Sequence, residues 1–598
     1  MYTLLCEGED AMYLGELPVL RQDSICWTQR LARRARVLRL TPMPTQSLDS
    51  TRCSVTCMYR VLAACLPLWL AGCATQGNSG GSGPTGTERP DSGISDNSGP
   101  VLDVEGDAAV EPTCADVAIT KSYLGCEFWP TVTLNPVWSV FDFATVVANT
   151  GSEAATIEIH GRQGLLASAT VPAHGLVKLF LPWIAELKGA DADICGKSDD
   201  LKASIFSAAG AFRLTSSRPV IVNQFNALEF RGAGGPPGKN WATCPGLQSC
   251  EEDGRHGCFS FSNDAATLLP VTALTGSYRI TTMPPAATQT FFAITGTTDG
   301  TNVSIKLSAA ARILAGDRLP AAGPGEEVHV PLDAGDVIEV VAADVTADLG
   351  GSLIQADYPV QVIAGSACAS LPSSDQAGEV TTCDHLEETV LPAETLGQRY
   401  IVTLPTGVLG KPVPHAVRLF GNVDGTTLTY SSGAPEGAPA SIDAGQVIDL
   451  GIVETNFEVR ANHEFSVGMF LLSAAFADPN DIVTRGDPSQ SQAVTVDQYR
   501  TEYVFLAPDD YDVNYVDIVM PMDAQVRLDG RRLTAAPSPL AGTEFGVARV
   551  RLGLGDNGAH TLSSDKPVGL QVIGYGSYTS YQYPGGLDLK PLAPPPPK

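Results

Sequence analysis

Apolar residues along this chain come in short runs rather than in long stripes. From residue 114 onward, segments rich in Val, Ile, Phe and Thr recur, each bounded by Gly, Pro, Asn or Asp. Phe143-Ala-Thr-Val-Val-Ala-Asn149, Thr156-Ile-Glu-Ile-His160 and Val328-His-Val-Pro-Leu332 are examples in which apolar positions alternate. A period of two puts successive side chains on opposite faces of a pleated strand, so the pattern predicts strands with one face in a core. The spacing i, i+3, i+4, i+7, which a helix needs to bury a stripe, is nearly absent. Short strands with regular turn signals predict an all-β chain of sandwich-like modules.

A longer period lies over the short one. Leu214–Phe225, Leu353–Ile363, Val459–Phe470 and Leu562–Ile573 each carry a polar turn, then Pro (Phe465 in the third), then an apolar strand. Proline suits the first position of a strand, where its missing N–H is not needed. Anchored on Pro219, Pro359, Phe465 and Pro567, the copies are 140, 106 and 102 residues apart. A Gly-, Pro- and Cys-rich loop at 231–260 accounts for most of the longer first interval. Asp299-Gly-Thr301 matches Asp424-Gly-Thr426, and Leu332-Asp-Ala-Gly-Asp-Val-Ile338 matches Ile442-Asp-Ala-Gly-Gln-Val-Ile448. A unit of ~100 residues is the size of one β-sandwich and too long for a solenoid repeat. The expected organisation is four tandem modules at 114–270, 271–388, 389–490 and 491–585, with a Pro-rich tail at 586–598.

The texture before residue 114 is different. Met58 to Cys73 (MYRVLAACLPLWLAGC) is apolar with Arg60 as its only charge, and Gly/Ser/Pro-rich sequence follows. The run is far shorter than the ~20 residues of a membrane span. A basic start, an apolar stretch and small residues before a Cys look like a bacterial lipoprotein signal. That resemblance makes 58–72 a signal peptide and Cys73 the acylated residue, a lipid anchor to the membrane. Ala74 stands where Asp would mark inner-membrane retention, so the expected location is the outer membrane. Residues 1–57 are Arg-rich without a sustained period and read as an over-extended gene start or a non-globular extension. Residues 73–113 hold too few apolar groups to offset chain entropy and read as a flexible linker reaching roughly 35 Å.

Charge narrows the partners. The net charge is −28, and removing residues 1–72 takes away eight Arg against six Asp and Glu, which makes it −30. Such a chain repels phosphate backbones, which argues against nucleic acid as a partner. Of fourteen Cys, eight lie beyond Cys73: Cys114, Cys126, Cys195, Cys244, Cys250, Cys258, Cys368 and Cys383. An even number in an exported chain predicts disulfides. Cys114 with Cys126 and Cys368 with Cys383 are the local pairs; Cys195, Cys244, Cys250 and Cys258 pair among themselves in an order left open.

Active-site patterns are thin. The one G-x-S-x-G, at Gly77–Gly81, lies in the linker, and there is no HExxH, Walker loop or CxxC. The nearest calcium-like string, Asp510-Tyr-Asp-Val-Asn514, has Tyr515 where the turn needs Gly, so neither metal nor cofactor is expected. Cys383-Asp-His-Leu-Glu-Glu388 offers His385 with Glu387 or Glu388 as a base and its orienter, the best site for a rival hydrolase reading. A structural loop is preferred, since an active site needs a third partner and none is visible. Tyr575, Tyr578, Tyr581 and Tyr583 form a second candidate, as Tyr-rich surfaces bind sugars or protein.

Several strings resemble the IgGFc-binding protein N-terminal domain family: Lys121–Cys126, Phe141–Gly151, Pro219–Asn226, Ser262–Ala265 with Leu268-Leu-Pro270, and Cys383–Glu388 followed by Leu391-Pro392. The similarity runs over most of residues 115–480. It implies an exported recognition or adhesion module and brings no catalytic residue. The expected role is binding of extracellular protein or glycan, with a hydrolase or a purely structural envelope protein as alternatives.

Overall fold

Thirty-two strands among the described residues carry the architecture of the computed structural model. It describes residues 111–597 apart from 251–256, 285–287, 373–382, 432, 478–480, 482–484, 509–510, 554 and 556–557. The expectations for 1–57, 58–72, Cys73 and most of the linker lie outside the described residues.

The first set is β1 (Gly125–Phe128), β2 (Phe143–Asn149), β3 (Ala155–Gly161), β4 (Gly164–Val171), β5 (Leu176–Leu181), β6 (Ile205–Ser207), β7 (Arg213–Phe225) and β8 (Ala265–Leu268). The second is β9 (Ser277–Arg279), β10 (Thr290–Gly296), β11 (Thr301–Lys306), β12 (Glu327–Leu332), β13 (Val337–Val341), β14 (Leu353–Ala356), β15 (Val360–Ala369) and β16 (Asp384–Thr389). The third is β17 (Arg399–Val402), β18 (His415–Gly421), β19 (Thr426–Tyr430), β20 (Ser441–Ile442), β21 (Val447–Val453), β22 (Phe457–Ala461), β23 (Phe465–Phe470) and β24 (Gln490–Gln492). The fourth is β25 (Arg500–Leu506), β26 (Val513–Pro521), β27 (Val526–Leu528), β28 (Arg531–Arg532), β29 (Ser538–Pro539), β30 (Phe545–Arg551), β31 (Ala559–Gly576) and β32 (Thr579–Pro584).

Each set builds the same two antiparallel layers. The inner layers run β5-β2-β7-β8, β13-β10-β15-β16, β21-β18-β23-β24 and β30-β26-β31-β32. The outer layers run β1-β7-β3-β4, β9-β14-β11-β12, β17-β22-β19-β20 and β25-β31-β27-β28. In the first and fourth sets one long strand, β7 or β31, passes from the outer layer into the inner one. Two departures from the expected boundaries appear: β6, from within 114–270, extends the second set's inner layer, and β24 carries the third set to Gln492.

Burial separates the layers. Outer strands alternate as the sequence predicts, with Thr301–Lys306 and Glu327–Leu332 burying every second side chain. Inner strands do not: every residue of Phe143–Asn149, Thr290–Gly296 and His415–Gly421 is buried. The second face of β2, expected outside the core, is covered because Ala144, Val146 and Ala148 pack with Val516, Ile518 and Val572 of the fourth set, while Phe143 and Val147 fill their own sandwich. Ala293, Val337 and Ile363 join the first sandwich's core, Leu386, Ala416 and Phe470 join the second to the third, and Val408, Leu471, Tyr515 and Ile573 join the third to the fourth. The four sandwiches therefore close into a ring, held by apolar contacts at all four junctions.

The repeat extends to side chains. Tyr278, Tyr400 and Tyr503 each donate a hydroxyl to the carbonyl where the inner-layer stretch of β15, β23 or β31 begins: Val360 at 2.6 Å, Phe465 at 2.6 Å, and Val568. Each accepts the N–H three residues back, from Thr275, Gly397 and Arg500. This pairing aligns Phe465 with Val360 and Val568, so Glu464, not Phe465, takes the place of Pro359 and Pro567. The matched turns clasp reciprocally, Asp299 and Asp333 in the second sandwich and Asp424 and Asp443 in the third each accepting a backbone N–H of the other's loop. Tyr400→Phe removes a buried hydroxyl and strands a carbonyl and an N–H, so it lowers unfolding free energy by about 2 kcal/mol. Urea titration checks this; a change under about 0.5 kcal/mol contradicts it.

Four disulfides are formed among the described residues: Cys114–Cys126, Cys368–Cys383, Cys195–Cys250 and Cys244–Cys258. The last two settle the order that the sequence leaves open. The expected tail is not loose: Leu587 and Leu589 are buried, the N–H groups of Leu592 and Ala593 bond to the carbonyl of Glu394, and Gln355 reaches the carbonyl of Pro596.

Candidate functional site

The four inner layers end in equivalent edge strands, and these meet at the centre of the ring. β8 touches β16 and β32, and β24 touches the same two. An edge strand leaves N–H and C=O groups unpaired, and here two buried carboxylates take up several of them. The Oδ2 of Asp264 accepts N–H bonds from Glu387 and Gln490, both at 3.0 Å, and its Oδ1 accepts from Ala265 N at 2.9 Å and Ser489 Oγ at 2.8 Å. The Oδ1 of Asp384 accepts from Asn263 N at 2.6 Å and His385 N at 2.9 Å; its Oδ2 accepts from Thr579 Oγ1 at 2.8 Å and Ser580 N at 3.3 Å. Two aspartates thus tie together strands from all four sandwiches.

His385 and Glu387 lie in the same hub, and both are fully buried. The carboxylate of Glu387 accepts from Thr133 Oγ1 at 2.5 Å, Asn226 Nδ2 at 3.1 Å and Gln224 Nε2 at 2.8 Å. The His385 ring lies 6.0 Å from Phe291, near parallel, with Nε2 3.2 Å from Asn226 Nδ2 and 3.5 Å from Glu387 Oε2. Base and orienter are side by side as the sequence suggests, but neither cleft described below reaches them. Burial drives the neighbouring acids toward their neutral forms: Glu388, Asp264 and Asp384 lie well above the usual carboxylate range, and Glu339 is pushed up to about 8.

The tyrosine candidates need correction. Tyr575, Tyr581 and Tyr583 are buried, Tyr581 and Tyr583 in the core shared by the first and fourth sandwiches. β32 is an inner-layer strand that turns Tyr581 and Tyr583 into an apolar core, while its Thr579 and Ser580 bond to Asp384 in the hub. Tyr578 alone is exposed, edge-on to Phe261 at 6.1 Å.

Two clefts among the described residues open on the outside, both where the first and fourth sandwiches adjoin. One, of about 480 Å³, is lined by Tyr123, Arg218, Arg500, Glu502 and Arg527. The other, of about 610 Å³, is lined by His174, Asp529, Arg531, Arg532, Thr534 and Arg551. Among the described residues no group of three His, Cys, Asp or Glu side chains could hold a metal ion. Sequence reasoning missed Asp264 and the arginines. Their signals were present: the resemblance strings Ser262–Ala265, Pro219–Asn226 and Cys383–Glu388 contain the hub, and three Arg fall within Arg527–Arg532.

A buried polar hub inside a ring of β-sandwiches, with the two described clefts on the outside, defines a β-repeat scaffold. The chain belongs to the IgGFc binding protein family, whose model matches residues 264–574. It is 28% identical over 324 residues to the human IgGFc-binding protein; the match covers 52% of this chain and 5% of that protein. Two solved structures give weak likenesses: an anti-sigma factor domain-containing protein from Clostridium clariflavum (14% identity, 52% of this chain and 81% of that one, TM-score 0.11) and a tetra-tandem repeat from the extending region of a large adhesion protein (12% identity, 77% and 99%, TM-score 0.08). Neither carries an argument about fold.

Proposed function

We propose that this chain is a cell-surface lipoprotein, anchored through Cys73, that binds an extracellular protein or glycan through the outer faces of its ring. The observation that carries the reading is the family match over residues 264–574, a family described by a binding activity. The full burial of His385 and Glu387 supports binding over hydrolysis. The apolar run at 58–72 and Cys73 support the anchor, and four disulfides suit an oxidising compartment.

Intact mass of the membrane-extracted protein, followed by a screen on arrays of extracellular proteins and glycans, tests both parts. The expected results are a chain starting at acylated Cys73 and saturable binding of at least one array member. An unmodified chain beginning at Met1 overturns the anchor, and an array without a binder overturns the binding role.

A further inference from the structure

The 610 Å³ cleft combines features that the family match does not explain. In a chain of net charge −28, four arginines lie close in sequence on the fourth sandwich: Arg527, Arg531 and Arg532 on the β27–β28 hairpin, and Arg551 at the end of β30. All four are exposed, and no described carboxylate forms an ion pair with any of them. Several other exposed or half-exposed arginines of the body are paired, such as Arg213 with Glu127 and Arg312 with Asp344. Asp529, the one carboxylate in the described lining, is engaged: its Oδ1 accepts Thr561 N at 2.9 Å and its Oδ2 lies 2.9 Å from His560 Nδ1. Three arginines in the lining of one cleft concentrate positive charge there, which an anion relieves.

We propose that this cleft binds an acidic saccharide, with Arg531, Arg532 and Arg551 meeting its sulfate or carboxylate groups. The inference rests on reading the chain as a binding scaffold and names a ligand class for it. Guanidinium forks match both kinds of anionic group bidentately. The volume lies in the range of small-ligand sites, and the wall offers the hydroxyls of Thr534 and Thr561 and the backbone of Gly553 and Gly555 to sugar hydroxyls. No Phe, Tyr or Trp ring lines it among the described residues, so it lacks the broad stacking platform that a single-stranded nucleic acid uses. The net negative charge repels extended polyanions, but beyond about 8 Å that repulsion is screened at physiological salt, which leaves a short acidic oligosaccharide free to enter.

The test uses the full chain and a short sulfated dextran, with unsulfated dextran and an oligogalacturonate beside it. Wild type is expected to bind the sulfated or the uronate oligomer and not the neutral one, more weakly as salt rises. The double reversal Arg531→Glu with Arg532→Glu is expected to lose about tenfold or more in affinity, the scale of one or two charge-assisted contacts. Arg312→Glu, on the second sandwich, is expected to leave binding unchanged, with thermal midpoints showing that both variants fold. Equal binding of the neutral oligomer, or unchanged affinity in the folded double variant, overturns the proposal. If neither acidic oligomer binds while the arrays yield another ligand, this inference falls and the scaffold reading stands; if nothing binds in either assay, both fall.

Discussion

Asp264→Ala is expected to destabilise the protein by about 4 kcal/mol, the largest single-residue effect in the ring. The carboxylate is fully buried and accepts four hydrogen bonds, two of them from the backbones of the second and third sandwiches. Truncation strands three N–H groups and one hydroxyl away from water, at roughly 1–3 kcal/mol each, with some relief from relaxation. Losses above 4–5 kcal/mol are exceptional for one substitution, so about 4 is the expected size. Asp264→Asn recovers only part, because its amide NH2 would face donors instead of accepting from them. Chemical denaturation of both variants checks this; a loss below about 1 kcal/mol for the alanine variant would show that the hub is not what joins the sandwiches.

Raising the pH from 5 to 9 is expected to lower the thermal midpoint. Burial pushes Glu339 and Glu229 up to about 8 and Asp517 up to about 6, with the Asp142 charge adding to Glu229. These groups stay neutral in the fold to higher pH than in the unfolded chain, where carboxyls titrate near 4. Their stabilisation is complete below about 4 and is lost as pH rises through 6 for Asp517 and 8 for the glutamates. His415 acts in the other direction: burial lowers it to about 3, so its contribution is complete above about 6.5 and lost as pH falls toward 3. Stability from these groups therefore peaks near pH 4. Three acids outweigh one histidine, and at roughly 1.4 kcal/mol for each tenfold change in proton affinity the alkaline loss amounts to several kcal/mol. For a body of this size that is several degrees. Glu339→Gln is expected to flatten part of the slope. A midpoint that rises between pH 5 and pH 9 contradicts the assignment.

The outer layers were legible from alternation, because one face of each strand meets water and only the other meets the core. The inner layers were misread for a physical reason: Phe143–Asn149 looks amphipathic because its small residues, Ala144 and Ala148, are tolerated on either kind of face. Only the neighbouring sandwich makes that second face a core. The hub was half legible. Its residues stood out as strings of resemblance, and the structural reading of Cys383–Glu388 was preferred, yet Asp264 went unnoticed, since no local pattern tells that it will meet backbone groups more than a hundred residues away. Tyr581 and Tyr583 failed in the opposite sense, as polar-tipped rings whose strand is buried between an apolar core and the polar hub. The paired Cys114–Cys126 and Cys368–Cys383 were readable because their loops are short; Cys195–Cys250 and Cys244–Cys258 interleave, and spacing does not rank such pairings.

The central claim is that the meeting point of the four sandwiches is a sealed clasp and not a reaction centre. Hydrogen exchange of the backbone amides of Asn263, Glu387, Gln490 and Ser580 tests it most directly, because each donates to one of the two hub aspartates. The four are expected to exchange together, in the slowest class of the chain, and only through global unfolding. Fast or mutually independent exchange at these positions would mean that water reaches His385 and Glu387 in the native state, and would contradict the account.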